Sequence, residues 1–434
     1  MFNCHENPTM PPPRGAAPVA FLDEISDEES YAISFLRHWS SDEKSKTKVI
    51  AELVKHLGKH RAHDAEQCLE TLHFFLTTHP ITPIMYHDLT CDCVGAHEAC
   101  FANFITLAAN AKKKDALILI QTTLPPGTCD NVIIPALKGA LKNRKMKLSD
   151  IFLSYSYERI MPGKEYMNSI TDNYRCYSGM NKSSLIICRK FLKSFINYKK
   201  FPLFEFNKII DCETAKILEN SYRAINIAFI DEWTKFSNLN SINLNRIINA
   251  IKKRKTHSNI MRPGLGMGGY CLTKDPDFIN FSSKFIMKNK LKFPIIDASN
   301  TINKRMPLTS LDFIKARAKN LKGKKILIMG ISYKEDVSDL RSSPSIDLIN
   351  FLKKITLKIT LHDPITSKYN DMKLKILKKI PDFKKFDLVL FCVNHSFYKK
   401  LGIKKFSKKP KYFDLNQVLK HSLINQMKKR NFKL

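Results

Sequence analysis

Glycine is scarce in this chain, 14 of 434 residues, and where it is missing matters. Residues 1–100 hold only Gly15, Gly58 and Gly95, so no Gly-x-Gly-x-x-Gly turn, the usual cradle for a dinucleotide pyrophosphate, can be assembled there. No run of eighteen apolar residues occurs, which removes the signal of a membrane-spanning helix. The opening MFNCHENPTMPPP lacks the basic and apolar regions of a secretory signal, so a cytoplasmic location is expected. Cysteine occurs 11 times without the spacing of a small disulfide framework, and reduced thiols are expected. Zinc-finger, helix-turn-helix and aromatic-basic RNA-binding motifs are also missing, so the excess of 72 Lys and Arg over 40 Asp and Glu is not accompanied by a nucleic-acid signature.

The charge is unevenly placed. Residues 1–100 carry 8 Lys/Arg against 15 Asp/Glu, leaving 64 against 25 for the rest, and 9 of the 13 histidines lie in that first stretch. It reads as a segment of different origin. The basic remainder could steer anionic ligands such as nucleotides. Its lysines are scattered, as in KKK at 112–114 and KKRK at 252–255, amid abundant Ile and Asn, which reads as compositional bias with no specific nucleic-acid or membrane partner. A chain of this length implies two or three domains.

Residues 1–30 read as a Pro-rich, then acidic, leader. Ser40-x-x-Glu43 has capping-box spacing before VIAELVKHL, and 64–77 and 96–110 also carry helical patterns, so the first hundred residues should be mainly helical. From residue 115 strands alternate with helices: ALILIQ at 116–121, a helix through VIIPALKGALK, then IFLSYS at 151–156. Residues 211–236 predict a helix with Leu218, Tyr222, Ile225, Phe229, Trp233 and Phe236 on a packed stripe and Lys216, Asn220 and Arg223 on the other face. That second face is either a solvated back or a set of polar groups presented to a ligand. Another helical region lies near 290–318, and strands are expected near 325–329, 356–361, 387–393 and 411–414, with a helix capped by Ser343 and opened by Pro344 between the first two. Strand, helix, strand within some forty residues is a Rossmann-like unit.

Five stretches carry candidate chemistry. In RPGLGMGGYCLTKDP, glycines at 264, 266, 268 and 269 precede Cys271, with Asp275 four residues on. Glycines allow close backbone approach and cysteine is a soft nucleophile, but a free cysteine beside a flexible turn also reads as a small core residue. QTTLPPGTCD puts Thr123 at the carboxyl end of a strand, where α/β sheets bind ligands, or is a plain turn with Thr128 as helix cap. Glu158 and Arg159 follow the next strand, as site residues or as a surface ion pair. GISYKEDVSDLRSSPS offers Lys334 and Arg341 ahead of a helix N-terminus, suited to phosphate or simply solvated. HDLTCDCVGAHEAC groups Cys91, Cys93, His97 and Cys100, whose spacing fits no standard zinc finger; they are metal ligands or helix-core thiols with exposed imidazoles.

The order of QTTLPPGT, YSYERIMPG, AKILENSYRAINIAFIDE, GLGMGGYCLTKDP and GISYKEDVSDLRSSPS resembles the UDP-glucose/GDP-mannose dehydrogenases, nearest the branch that oxidises UDP-N-acetylhexosamines, over about residues 105–425. The resemblance implies an α/β fold: Rossmann-like domains joined by a central helical dimerisation domain, preceded here by the atypical helical segment. Implied boundaries are 1–100 for that segment, 101–205 for the rest of an NAD-binding domain, 206–318 for the central domain and 319–434 for a UDP-sugar-binding domain. It implies a homodimer that oxidises a UDP-sugar to the uronate with NAD, for polysaccharide synthesis. Cys271 would be the acyl-carrying nucleophile, Lys216 and Asn220 the oxyanion partners, and Thr123, Glu158 and Asp275 the groups that handle water and alcohol protons. Lys274, Arg341 and Thr123 would approach the cofactor, and Arg159, Arg223, Gly268, Gly269 and Lys334 the nucleotide sugar. Three positions depart from the family pattern: Tyr157, Tyr270 and Asn416. With the glycine turn missing as well, the alternative expectation is a fusion or remnant that binds UDP-sugar but not NAD.

Overall fold

The structure, a computed structural model, describes residues 115–143, 145–161, 163, 165–366 and 374–434. The expected leader, the N-terminal helices and the Cys91, Cys93, His97 and Cys100 group lie outside the described residues. The described chain forms two compact units.

In the first unit a short parallel sheet forms where β-branched and leucine residues run together. Strand β1 (Ala116–Ile120) leads through helix α1 (Ile134–Asn143) to β2 (Ile151–Tyr155), and the two strands pair in parallel from Ala116↔Ile151 to Ile120↔Tyr155. Thr128 does not cap α1: it is already helical, makes no side-chain cap bond, and opens a wide turn at Cys129–Ile133 before the regular helix. β3 (Cys176–Gly179) pairs antiparallel with β2, a break from an all-parallel sheet. Between the two strands, residues 159–173 belong to the second unit and hold the short helix Tyr166–Thr171. Helix α2 (Lys182–Lys193) starts where the Asn181 side chain accepts the Ser184 amide at 2.8 Å and ends on Lys190 and Lys193, which suit its dipole. It buries Cys188, Phe191 and Leu192, and the two-residue β4 (Phe204–Glu205) completes the order β1-β2-β3-β4.

The second unit takes over within a 31-residue helix, α3 (Ile209–Leu239). The apolar stripe expected to be packed is not: Leu218 is 67% exposed and Phe236 52%, with Tyr222, Phe229 and Trp233 also exposed. What α3 buries instead is a face that mixes Ile209, Ile217 and Ile230 with small and polar residues, Ser221, Ala224 and Ala228 together with Glu213 and Lys216. Small residues let a neighbouring backbone come close, and Asn303 Nδ2 donates to the Ala224 carbonyl at 3.0 Å. Helices α4 (Leu244–Ile251), α5 (Tyr270–Lys274) and α6 (Pro294–Ala318) follow.

A five-stranded parallel sheet ends the chain: β5 (Ile326–Met329), helix α7 (Pro344–Lys353), then β6 (Ile359–His362), β7 (Ile376–Leu377), β8 (Leu388–Phe391), β9 (Lys411–Asp414) and helix α8 (His421–Lys429). Its order is β7-β6-β5-β8-β9. Every residue of β5 and β8 is buried, the mark of strands covered on both faces. Period-two alternation sends Ile326, Ile328, Leu388 and Leu390 into one core and Leu327, Met329, Val389 and Phe391 into the other. Each such side chain contributes about 1.5–3 kcal/mol on burial. Ser343 precedes α7 as expected, yet its hydroxyl donates to the Ile331 carbonyl at 2.7 Å, fastening the helix start to the end of β5 instead of capping α7.

Candidate active site

Cys271 lies in the first turn of α5, two residues after a glycine that no other residue could replace without strain. Gly269 has φ 85°, and a Cβ there would sit 2.7 Å from Cε2 of Tyr333. At Gly268 a Cβ would come within 2.8 Å of Pro344 Cδ and 3.0 Å of the Ser342 carbonyl oxygen. The loop is also tied by backbone, the Gly269 amide donating to the Arg341 carbonyl at 3.2 Å, and by Gln417 Nε2, which donates to the Pro263 carbonyl at 2.8 Å. These contacts fix the approach to α5 and leave Cys271 exposed. The core-residue reading of Cys271 therefore does not hold. Among the described residues, Cys129, Cys188, Cys212 and Cys392 are the buried thiols. Burial pushes the Cys188 thiol up to about 12, and Cys212 and Cys392 are raised by the same desolvation, so none of the three supplies thiolate near neutrality.

Four residues beyond, Asp275 is fully buried. Its carboxylate accepts from Asn220 Nδ2 on α3 at 2.7 Å and from Lys274 Nζ at 2.9 Å. A carboxylate so placed must be compensated, and these donors do so while aligning α5 on the polar side of α3. Lys216 lies one turn before Asn220 and is buried too. The face of α3 that carries Lys216 and Asn220 is therefore not a solvated back. Arg223, one turn further, is exposed. The Lys274 ammonium lies 4.6 Å from the ring centroids of both Tyr270 and Phe278, and the Arg341 guanidinium lies 5.6 Å from Tyr270. Arg341 is also paired with Asp339 through Nε and Nη2, at 3.0 and 2.8 Å to one carboxylate oxygen. The Tyr333 phenol, under Gly269, is pushed up to about 12 by burial and then by Asp339.

Of the other expected residues, Thr123 opens the Thr123–Gly127 stretch of the second unit. That stretch is held by Glu213 Oε2, which accepts the Gly127 amide at 2.6 Å, and by Ser282 Oγ, which donates to the Pro126 carbonyl at 2.6 Å. Arg159 pairs with Glu219 at 2.9 Å, an exposed ion pair worth little to stability. Lys334 is half-buried in the loop after β5. Glu158 belongs to the first unit, after β2, where its amide donates to the Gln121 carbonyl at 3.2 Å.

Sequence pattern missed Glu213 and Asp339. Glu213 is fully buried and three residues before Lys216, on the same polar face, so helical spacing alone could have found it. Asp339 gave no such signal, since its pairing with Arg341 arises from a loop.

A parallel sheet and a helical layer in which the exposed Cys271 precedes by four residues a buried carboxylate bonded to Asn220 and Lys274 fit an α/β oxidoreductase of the nucleotide-sugar class. Residues 211–305 match the UDP-glucose/GDP-mannose dehydrogenase family, central domain, and residues 327–421 its UDP binding domain. The chain is 30% identical over 321 residues to the UDP-N-acetyl-D-mannosamine dehydrogenase of Methanococcus maripaludis, covering 72% of this chain and 68% of that one. It is equally 30% identical over 321 residues to the enzyme of the same name from Methanococcus aeolicus, covering 73% and 66%. The fold is like that of the NDP-N-acetyl-D-galactosaminuronic acid dehydrogenase of Methanosarcina mazei Go1, with a TM-score of 0.69 and 19% identity over 92% of this chain and 86% of that one. This chain belongs to the UDP-glucose/GDP-mannose dehydrogenase family.

Proposed function

We propose that the chain is an NAD-dependent UDP-sugar 6-dehydrogenase that takes a UDP-N-acetylhexosamine, or UDP-glucose, to the uronate for polysaccharide synthesis. The observation that carries this reading is the exposed Cys271 thiol four residues before the buried Asp275, whose carboxylate bonds the half-buried Asn220, with the buried Lys216 one turn before Asn220 on α3. Its domain plan is the one expected from sequence: 101–205 for NAD, 206–318 central and dimer-forming, 319–434 for the nucleotide sugar.

The C6 alcohol loses a proton and a hydride to reach the aldehyde. The Cys271 thiolate adds to the carbonyl carbon, and the oxygen that gains charge is met by Lys216 and the Asn220 amide. Loss of a second hydride leaves a thioester on sulfur, and water cleaves it to the uronate and free thiol. NAD, when bound, accepts the hydride at each oxidation. Asp275 orients Asn220 and Lys274 through the two bonds it accepts. Thr123 and Glu158 position the water and the alcohol. Lys274 and Arg341 suit a diphosphate, because each is a cation whose side chain stays partly exposed, at 24% and 39%, while paired with its carboxylate partner. Arg159, Arg223, Gly268, Gly269 and Lys334 serve the nucleotide sugar. The exposed stripe of α3, where Phe229, Trp233 and Phe236 stack edge to face, suits an isologous homodimer. No helix among the described residues is long and apolar enough to cross a membrane, and the proposed location is cytoplasmic.

The test is incubation of the pure chain with NAD and a panel of UDP-sugars. Two NADH per uronate from one of them is the expected result, and none from any of them refutes the reading. The lack of a glycine turn in residues 1–100 favours a second reading, a chain that binds UDP-sugar without turnover. Calorimetry separates the two, since micromolar NAD binding is expected only of the first.

A further inference from the structure

His395 has no place in the chemistry above, yet it is among the most constrained side chains of the second unit. It is fully buried at the carboxyl edge of the β5–β9 sheet. From β5 the chain passes to β6 on one side and later to β8 on the other, so the ends of β5 and β8 flank the topological switch point, where open α/β sheets bind their ligands. Three loops leave the sheet there, after β5, β6 and β8, and His395 bonds to all three.

Its Nδ1 lies 2.9 Å from the Asp336 amide, which can only donate, so Nδ1 is an acceptor and the proton sits on Nε2. Nε2 lies 3.2 Å from Asp363 Oδ2 and 3.3 Å from Ser332 Oγ. Both fit acceptors: Asp363 is a buried carboxylate, and the Ser332 hydroxyl spends its own proton on the Lys334 carbonyl at 2.8 Å. Asp363 in turn accepts the Ile331 amide at 2.9 Å and the Thr366 amide at 2.8 Å. The clasp closes from the other side, where Asp336 Oδ1 accepts from Ser396 N at 2.9 Å and Ser396 Oγ at 3.0 Å. Asp336 holds φ 56°, a conformation that L residues adopt seldom and that these bonds stabilise.

We propose that His395 is a positioning residue for nucleotide binding: by accepting the Asp336 amide it latches the Ser332–Asp336 loop in the form that offers Lys334 to the pyrophosphate of a nucleoside diphosphate. This rests on the nucleotide-sugar reading of the same domain. An unlatched loop populates other conformations, and apparent affinity falls by the fraction that remains competent.

The experiment compares the full-length wild type with His395→Ala, His395→Asn and His395→Gln, using UDP in calorimetry and amide exchange at Asp336. Asparagine can place its carbonyl oxygen near the position of Nδ1, whereas glutamine reaches the position of Nε2. UDP affinity should fall roughly tenfold in the alanine and glutamine variants, the scale of one buried donor left without its acceptor. It should stay within about twofold of wild type in the asparagine variant, with Asp336 exchange protected only there and in wild type. An asparagine variant as weak as alanine, or a glutamine variant fully restored, overturns the proposal. A wild type that binds no UDP overturns the nucleotide reading, and the exchange comparison then still decides whether His395 latches the loop.

Discussion

Replacing Gly269 with alanine tests whether the backbone before Cys271 is what holds the site. Two costs add at this position. The φ of 85° with ψ 168° lies where side chains are rarely found, a strain of about 1–3 kcal/mol. The new methyl would sit 2.7, 3.0 and 3.2 Å from three atoms of the Tyr333 ring, and overpacking of that kind costs about 1–3 kcal/mol. The variant should therefore lose roughly 2–6 kcal/mol, a large part of a typical domain's stability. Relief by movement of the loop would stretch the 3.2 Å bond from Gly269 to Arg341 and shift Tyr270 and Cys271 with it. Gly139→Ala is the control: no atom lies within 4 Å of its added Cβ, and it sits inside α1, where alanine should add about 0.5–1 kcal/mol. Urea unfolding followed by circular dichroism gives the stabilities, and the alkylation rate of Cys271 reports the loop. A Gly269→Ala protein within about 0.5 kcal/mol of wild type, with unchanged Cys271 reactivity, would refute the reasoning.

Brief iodoacetamide treatment of the native protein near pH 8, read by peptide mass mapping, should modify Cys271 while sparing Cys129, Cys188, Cys212 and Cys392; equal labelling of Cys188, whose thiol is pushed up to about 12, would contradict the assigned burial. Asn220→Ala removes one of the two donors to the fully buried Asp275 carboxylate and should cost about 1.5–3 kcal/mol, with turnover lost beyond what the melting temperature explains; a neutral variant would mean that Asp275 does not depend on this bond. Trp233→Glu places a charge in the exposed stripe of α3 and should convert a dimer to monomers in light scattering, whereas a monomeric wild type at micromolar concentration would refute the dimer.

Much of the second unit was legible beforehand. Runs such as ILIM and LVLF lie buried in β5 and β8, at the positions their hydrophobicity marked, because a strand covered on both faces needs no alternation with polar residues. β7 was missed, since two residues at a sheet edge leave almost no pattern. The caps were less reliable. The expected caps Thr128 and Ser343 make no cap bond, and Ser343 turns instead to the Ile331 carbonyl, a partner twelve residues away that no local rule selects, while the side-chain cap that forms, Asn181 on α2, was not expected. On α3 helical periodicity found both faces and assigned burial to the wrong one. Apolar residues usually go inward, and Ile217 and Ile230 do, but Ala224 and Ala228 share that buried face, Asn303 of α6 bonds at Ala224, and Leu218, Tyr222, Phe229, Trp233 and Phe236 are left exposed.

For the site, sequence by itself determined which groups are present and in what order: glycines before Cys271, Lys216 and Asn220 one turn apart, and cations ahead of α7. Such information is local, carried by spacing along one element. Only the tertiary structure decided that Asp275 is wholly buried and bonded to Asn220, that Gly269 must be glycine because Tyr333 lies against it, and that His395 joins the loops after β5, β6 and β8. Each of these joins residues from 32 to 64 positions apart in the chain, where the partner is chosen by packing and by the need to satisfy buried polar groups rather than by any pattern that spacing can reveal.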